Sequence, residues 1–143
     1  MSEVPPEIEV RIVTSLPGPQ LVALYEEAGW WQPGAGDDES VAEAIVRRSF
    51  AFAAAFCGDR LIGMARCITD GVSDAYLQDV MVTRDFRRRG IAARLVRTLI
   101  AHLHTHRIGW IGLIAQPGSE EFYARLGFSR MDDHVPMLYD PRH

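Results

Sequence analysis

Ile91, Leu95, Leu99 and Leu103 recur at four-residue intervals between two apolar segments, 75–83 and 110–115. Val96 and Ile100 flank that stripe, and Arg94, Arg97 and Thr98 lie off it. The pattern predicts an amphipathic helix over 91–106. Strands joined through such a helix run parallel, because the connection returns the chain to the same end of the sheet. An all-α bundle and an all-β sandwich are both excluded, and the chain reads as α/β with a mixed sheet.

The remaining elements follow from local signals. Residues 8–13 alternate and predict a strand. Pro17-Gly18-Pro19 interrupts it, and 20–29 predicts a helix that stops at Gly29. Ser40 and Glu43 have capping-box spacing, so a second helix is expected from Ser40 to about Phe50. Strands are expected over 51–57, which ends at Gly58-Asp59, and over 60–68, which ends at Thr69-Asp70-Gly71. Ser119 is expected to cap a short helix with Glu120 and Glu121 in its first turn and Gly127 at its end. A strand is expected from Phe128 and a last one over 135–139.

A length of 143 residues suits one domain, 1–143, with 1–7 as a frayed tail. No apolar run approaches the roughly 20 residues of a membrane helix. Met1-Ser2-Glu3-Val4-Pro5-Pro6 lacks the basic and apolar regions of a secretory signal. Cys57 and Cys67 are too few for a disulfide framework and read as reduced thiols, so a cytoplasmic protein is expected. The net charge of -4 provides no field for nucleic acid. All 15 basic residues are Arg, and only Arg11 falls within 1–43, so positive charge concentrates in the later part of the chain. His102 and His106 are spaced i, i+4, but no third ligand accompanies them, and no metal is expected.

Chemistry concentrates in Val82-Thr83-Arg84-Asp85-Phe86-Arg87-Arg88-Arg89-Gly90-Ile91-Ala92-Ala93. This is a strand, a basic loop and the start of a helix. A helix N-terminus offers unpaired N–H groups and the positive end of the macrodipole, which suits phosphate. Gly90 lets the backbone turn close to a ligand, and Ala92 and Ala93 keep bulk away. Neither a P-loop nor a dinucleotide-binding fingerprint is present. Further on, Phe122-Tyr123-Ala124-Arg125-Leu126-Gly127-Phe128 reads as an amphipathic helix with a glycine stop.

Together these segments resemble the Gcn5-related N-acetyltransferase (GNAT) superfamily. Arg87-Arg88-Arg89-Gly90-Ile91-Ala92 fits its [QR]-x-x-G-x-[GA] motif for acetyl-coenzyme A, and 122–128 fits its F-Y-x-x-x-G-F motif. The resemblance implies a mixed twisted sheet of about six to seven strands, about four flanking helices, and a splay between the fourth and fifth strands. It implies that Arg87, Arg88, Arg89, Gly90, Ile91, Ala92 and Ala93 hold the pyrophosphate of acetyl-CoA. Val80, Met81 and Val82 would pair with its pantetheine arm, and an N–H near Val82 would stabilise the oxyanion. Tyr123 would protonate the departing thiolate. Homodimer formation is an expectation carried by the resemblance alone.

A general base is harder to place. Some family members carry Glu where this chain has Gln78, which cannot accept a proton. Asp79 is the remaining candidate, although strand alternation puts it on the face opposite Gln78. A water relay is the alternative. For the acceptor, the resemblance points to a cleft between the first two helices, where Trp30 and Trp31 stand beside Asp37, Asp38 and Glu39. Aromatics with acids suit a cationic amine. With Gln78, these tryptophans are the substrate-binding candidates. The expected function is acetyl transfer from acetyl-CoA to a primary amine of a small molecule, with no nucleic-acid or membrane partner. A protein or peptide acceptor and a non-catalytic acyl-CoA sensor remain open at this stage.

Overall fold

The computed structural model describes residues 7–34 and 38–142. They fall into two compact units, Met1–Gly112 and Leu113–His143.

The first unit holds one five-stranded sheet in the order β1(Ile8–Val13), β2(Ala51–Cys57), β3(Arg60–Thr69), β4(Asp74–Val82), β5(Trp110–Gly112). The first four strands are antiparallel neighbours, and β4 and β5 are parallel, as the helix between them requires. That helix is α3(Ile91–Thr105), which presents Ile91, Leu95, Leu99 and Leu103 to the core. It packs closely because the sheet beneath it is small: Gly63 leaves room for the Leu95 side chain, and Ala51, Ala53 and Ala55 are fully buried. The other face of the sheet is covered by α1(Gly18–Glu27) and α2(Asp38–Arg48). There Leu21, Leu24, Ala42 and Val46 pack on Phe52, Ala54, Met64 and Met81.

α2 begins at Asp38, so Ser40 is inside the helix and does not cap it. Asp38 and Glu39 occupy the first turn and Arg47 and Arg48 the last, an order that favours the helix dipole.

The second unit contains α4(Glu120–Arg125). Ser119 stands at its N-terminus, yet its hydroxyl donates to Gln116 O at 2.7 Å instead of capping. The sheet also differs from the expected six to seven strands. The segment 110–115 is strand only over Trp110–Gly112, and no strand is formed at Phe128 or over 135–139 among the described residues. Asp133 turns the backbone to φ 64, and Pro136 removes an N–H from any ladder. Val135 and Leu138 are 76% and 98% exposed. No helix among the described residues is long and apolar enough to cross a membrane.

Candidate active site

The ladder between β4 and β5 has three registered pairs, the last being Tyr76↔Gly112. Beyond it, β4 continues to Val82 with β3 as its neighbour in the first unit. β5 ends at Gly112, so no β5 residue is registered with Val80–Val82. Met81 and Val82 are buried.

β4 bulges on the way to this edge. Met64 pairs with Met81 and Arg66 with Gln78, so Ala65 alone faces Asp79 and Val80. Asp79 absorbs the extra residue at φ 57, a conformation that a short polar side chain tolerates. The bulge overturns the alternation expected here. Asp79 turns to the same side as Gln78, and both bond Arg66. Arg66 Nε donates to Asp79 Oδ2 at 2.6 Å, and its terminal nitrogen donates to Gln78 Oε1 at 3.2 Å. Tyr25 on α1 donates its hydroxyl to the same Asp79 oxygen at 2.7 Å. Burial, followed by the Asp79 charge, pushes the Tyr25 pKa far above the usual tyrosine range, so it stays a donor. Asp79 Oδ2 thus carries two donors, which hold the carboxylate at the bulge.

Tyr25 also organises the acceptor candidates. Its ring stacks on Trp31 at 4.3 Å and tilts against Trp30 at 6.1 Å. Its carbonyl accepts from the amides of both tryptophans. Trp31 is half-buried under this arrangement and Trp30 is exposed. Of the neighbouring acids, Asp38 and Glu39 belong to the first turn of α2, and Asp37 lies outside the described residues.

After β4 the chain makes one 3-10 turn, Arg84–Phe86, and enters the basic loop. Glu27, also on α1, secures this exit. It accepts from Thr83 Oγ1 at 2.5 Å and from the Arg84 amide at 2.9 Å. Partial burial raises the Glu27 pKa, but these bonds and the Arg87 and Arg84 charges outweigh it, leaving the carboxyl below its ordinary value. The three arginines then diverge. Arg87 Nε donates to Val82 O at 2.9 Å, and its guanidinium lies 3.6 Å from Glu27. Arg89 rests over the Phe86 ring at 5.1 Å. Arg88 is exposed at φ 64. Gly90 follows at φ 76 as the N-cap of α3, and among the described residues no side-chain cap bonds the start of the helix. Buried Ile91 anchors that end, while Ala92 and Ala93 are half-buried. A Cβ on Gly90 would meet nothing within 4 Å, so the approach to these amides is open within the described structure.

Tyr123 stands in the second unit, on α4, with its ring 4.9 Å from Phe122 and 5.8 Å from Phe128. Burial raises its pKa. His102 and His106 pack on Phe50 and on each other, and burial lowers the His102 pKa. Among the described residues no cluster of three or more His, Cys, Asp or Glu is placed to hold a metal.

Tyr25, Arg66 and Glu27 are the site residues that sequence reasoning did not find. Tyr25 alone left a signal: it falls on the apolar stripe of α1 with Leu21 and Leu24, where a buried hydroxyl requires a partner.

Comparison with known proteins identifies the family. Residues 25–137 match the family model described as the Acetyltransferase (GNAT) domain. The chain is 36% identical over 84 residues to the "Uncharacterized N-acetyltransferase ycf52" of Porphyra purpurea, covering 58% of this chain and 48% of that protein. It is 36% identical over 85 residues to "Histone acetyltransferase TAP1" of Glycine max, covering 59% of this chain and 37% of that one. The match thus spans about half of the first relative and less of the second. Among solved structures, the GNAT family protein SP0256 of Streptococcus pneumoniae superposes with a TM-score of 0.81 at 21% identity, over 96% of this chain and all of that one (100%). The probable acetyltransferase SA2161 of Staphylococcus aureus superposes at 0.79 with 19% identity, over 94% and 98% of the two chains. These structures share the fold, and the family match covers most of the sequence. The chain belongs to the GNAT acetyltransferase family.

Proposed function

We propose that the protein is an N-acetyltransferase that carries the acetyl group of acetyl-CoA to a primary amine of a small molecule. The observation that supports this most directly is the open N-terminus of α3, with Gly90 left-handed and, among the described residues, no side-chain cap. Such an end fits a pyrophosphate. The amides of residues 88 to 93 would hold it, with Arg88 and Arg89 adding charge, while Arg87 braces the loop through Val82 and Glu27. The Val80–Val82 edge, whose Val82 carbonyl is held by Arg87, would pair with the pantetheine arm. Acetyl-CoA supplies an activated thioester carbonyl.

The chain's own groups divide the remaining work. An N–H near Val82 is the oxyanion donor. Neither motif contains a Cys or Ser to act as nucleophile, so the amine attacks directly. Asp79 holds the bulge, and the amine's proton leaves through water. The raised pKa of Tyr123 keeps its proton in place for the leaving sulfur. The alkaline limb of kcat therefore lies above the ordinary tyrosine value of about 10, and a limb below it would argue against Tyr123. Tyr123→Phe is expected to lower kcat by about 10²- to 10⁴-fold.

Calorimetric titration with acetyl-CoA tests the reading. Binding to the unsubstituted protein, abolished in Gly90→Glu by bulk and negative charge, is expected. No binding, or equal binding by both proteins, sinks it. A protein acceptor is the second reading, favoured by the name of the soybean relative. Thiol release with peptide amines and none with small amines would select it.

A further inference from the structure

The sheet face under α1 and α2 is covered unevenly. Phe52, Ala54, Met64 and Met81 are packed beneath the helices. Ile68, Tyr76 and Trp110 on the same face are 42%, 48% and 43% exposed. Their common face follows from register, since Tyr76 is partnered by Ile68 on one side and by Gly112 on the other, and Trp110 stands two residues before Gly112. The Tyr76 and Trp110 rings meet edge to face at 5.3 Å.

Gly112 makes this pair possible. A Cβ there would fall 2.8 Å and 2.9 Å from two indole carbons, so the Trp110 ring occupies the space of the missing side chain. Asp74, the registered partner of Trp110, borders the pair on the same face and accepts from Ser73 Oγ at 3.2 Å. The pair lies on the same strand face as a cluster that starts at the loop after α1. Trp31 stacks on Tyr25, Tyr25 bonds Asp79, and Arg66 joins Asp79 to Gln78, two residues from Tyr76. Arg66, the cation in that cluster, is neutralised by Asp79 at 2.6 Å.

We propose that Tyr76 and Trp110 form the floor of an acceptor subsite that selects a primary amine carried on an elongated apolar body. The proposal rests on the acetyl-transfer reading, which puts the reacting nitrogen beside Val80–Val82. Four residues of strand separate Tyr76 from Val80, a span of roughly 13 Å. A short amine cannot reach both places, whereas an ω-arylalkylamine can. A polyamine or an amino sugar gains little from an apolar floor.

The test is thiol release from acetyl-CoA with ω-phenylalkylamines of increasing methylene number, with spermidine and glucosamine as contrasts. The expected kcat/KM rises by up to about fourfold per methylene until the ring reaches the aromatic pair, and it exceeds both contrasts at least about tenfold. Trp110→Ala flattens the series. Gly112→Ala keeps both rings but denies the indole its place, and it flattens the series too. A flat series in the unsubstituted protein, a preference for spermidine or glucosamine, or a rise that survives in both variants overturns the proposal. So does a dimer, seen by sedimentation, that Trp110→Ala dissociates, because the floor would then be an interface between copies. Failure of the acetyl-transfer reading looks different: acetyl-CoA does not bind and no amine releases thiol, and the subsite falls with it.

Discussion

The two halves of β4 meet their surroundings in opposite ways. From Asp74 to Gln78 the strand alternates, burying Ala75 and Leu77 and exposing Asp74, Tyr76 and Gln78, with one face bare and β5 alongside as far as Tyr76. From Asp79 onward the alternation breaks. Met81 packs under α1 and α2, Val82 lies beside Gly63 and the α3 side, and the β5 ladder has ended. The second half keeps β3 on one side, and the last turn of α1 adds to that hold. Tyr25 pins the bulge through Asp79, and Glu27 pins the exit through Thr83 and Arg84. A sheet edge with a ladder on one side only gains from such fixing by a neighbouring helix.

Removing the central carboxylate is the strongest way to break that arrangement. Asp79→Ala leaves the Arg66 guanidinium and the Tyr25 hydroxyl without their shared acceptor. The Arg66 and Asp79 side chains are only 17% and 21% exposed. Breaking one partner out of such a pair is expected to cost about 3 kcal/mol, read as a shift in the urea midpoint. Asp79→Asn keeps an acceptor oxygen and should recover part of the loss. An Asp79→Ala protein as stable as the parent would show that the bulge is held by the ladder alone.

Tyr25→Phe separates the two tasks of that side chain. The ring remains to stack on Trp31, and only the bond to Asp79 is lost. A hydrogen bond to a charged group is worth about 2 kcal/mol. The stability loss should therefore be smaller than for Asp79→Ala, with the fluorescence of Trp31 little changed. If the fluorescence shifts as much as the stability, the hydroxyl and the stack form one unit and the pinning is less local than the geometry suggests.

The contrast also marks what could be read in advance. β1 to β4 and α3 were legible because alternation, helical stripes and Gly or Asp turns are local signals. The turn into α3 was legible for the same reason, since a glycine before a helix of small residues states its geometry within a few positions. The pins were not. Tyr25 and Asp79 are 54 residues apart and Glu27 and Thr83 are 56 apart, and nothing short-range announces either pair. The bulge itself was hidden because it sits on an aspartate, not a glycine, so strict alternation misplaced Asp79. Cap signals misled twice, at Ser40 and Ser119, where neighbouring acids start the helix without a serine hydroxyl. At 135–139 apolar content suggested a strand, but a strand needs a partner, and Pro136 within the run weakens any ladder.

The second pin should yield the smallest effect and the sharpest pH signature. Glu27→Gln retains one acceptor oxygen for the Thr83 hydroxyl but turns an amide donor toward the Arg84 N–H. A loss of about 1 kcal/mol at neutral pH is expected for such a partly exposed group. Its pKa is lowered by folding, because the bonds from Thr83 and Arg84 outweigh the effect of burial. A carboxyl with a depressed folded pKa stabilises the protein above its unfolded value, about 4.3, and that contribution fades as pH falls through the folded value. Glutamine cannot titrate. The difference between parent and variant should thus be full at neutral pH, begin to shrink below about 4.3, and vanish once Glu27 is protonated in the folded protein. Urea midpoints for both proteins across that range give the answer. A difference that stays constant into acid would mean that Glu27 acts through shape alone, and that the exit of β4 is fixed by packing of the buried Thr83 rather than by charge.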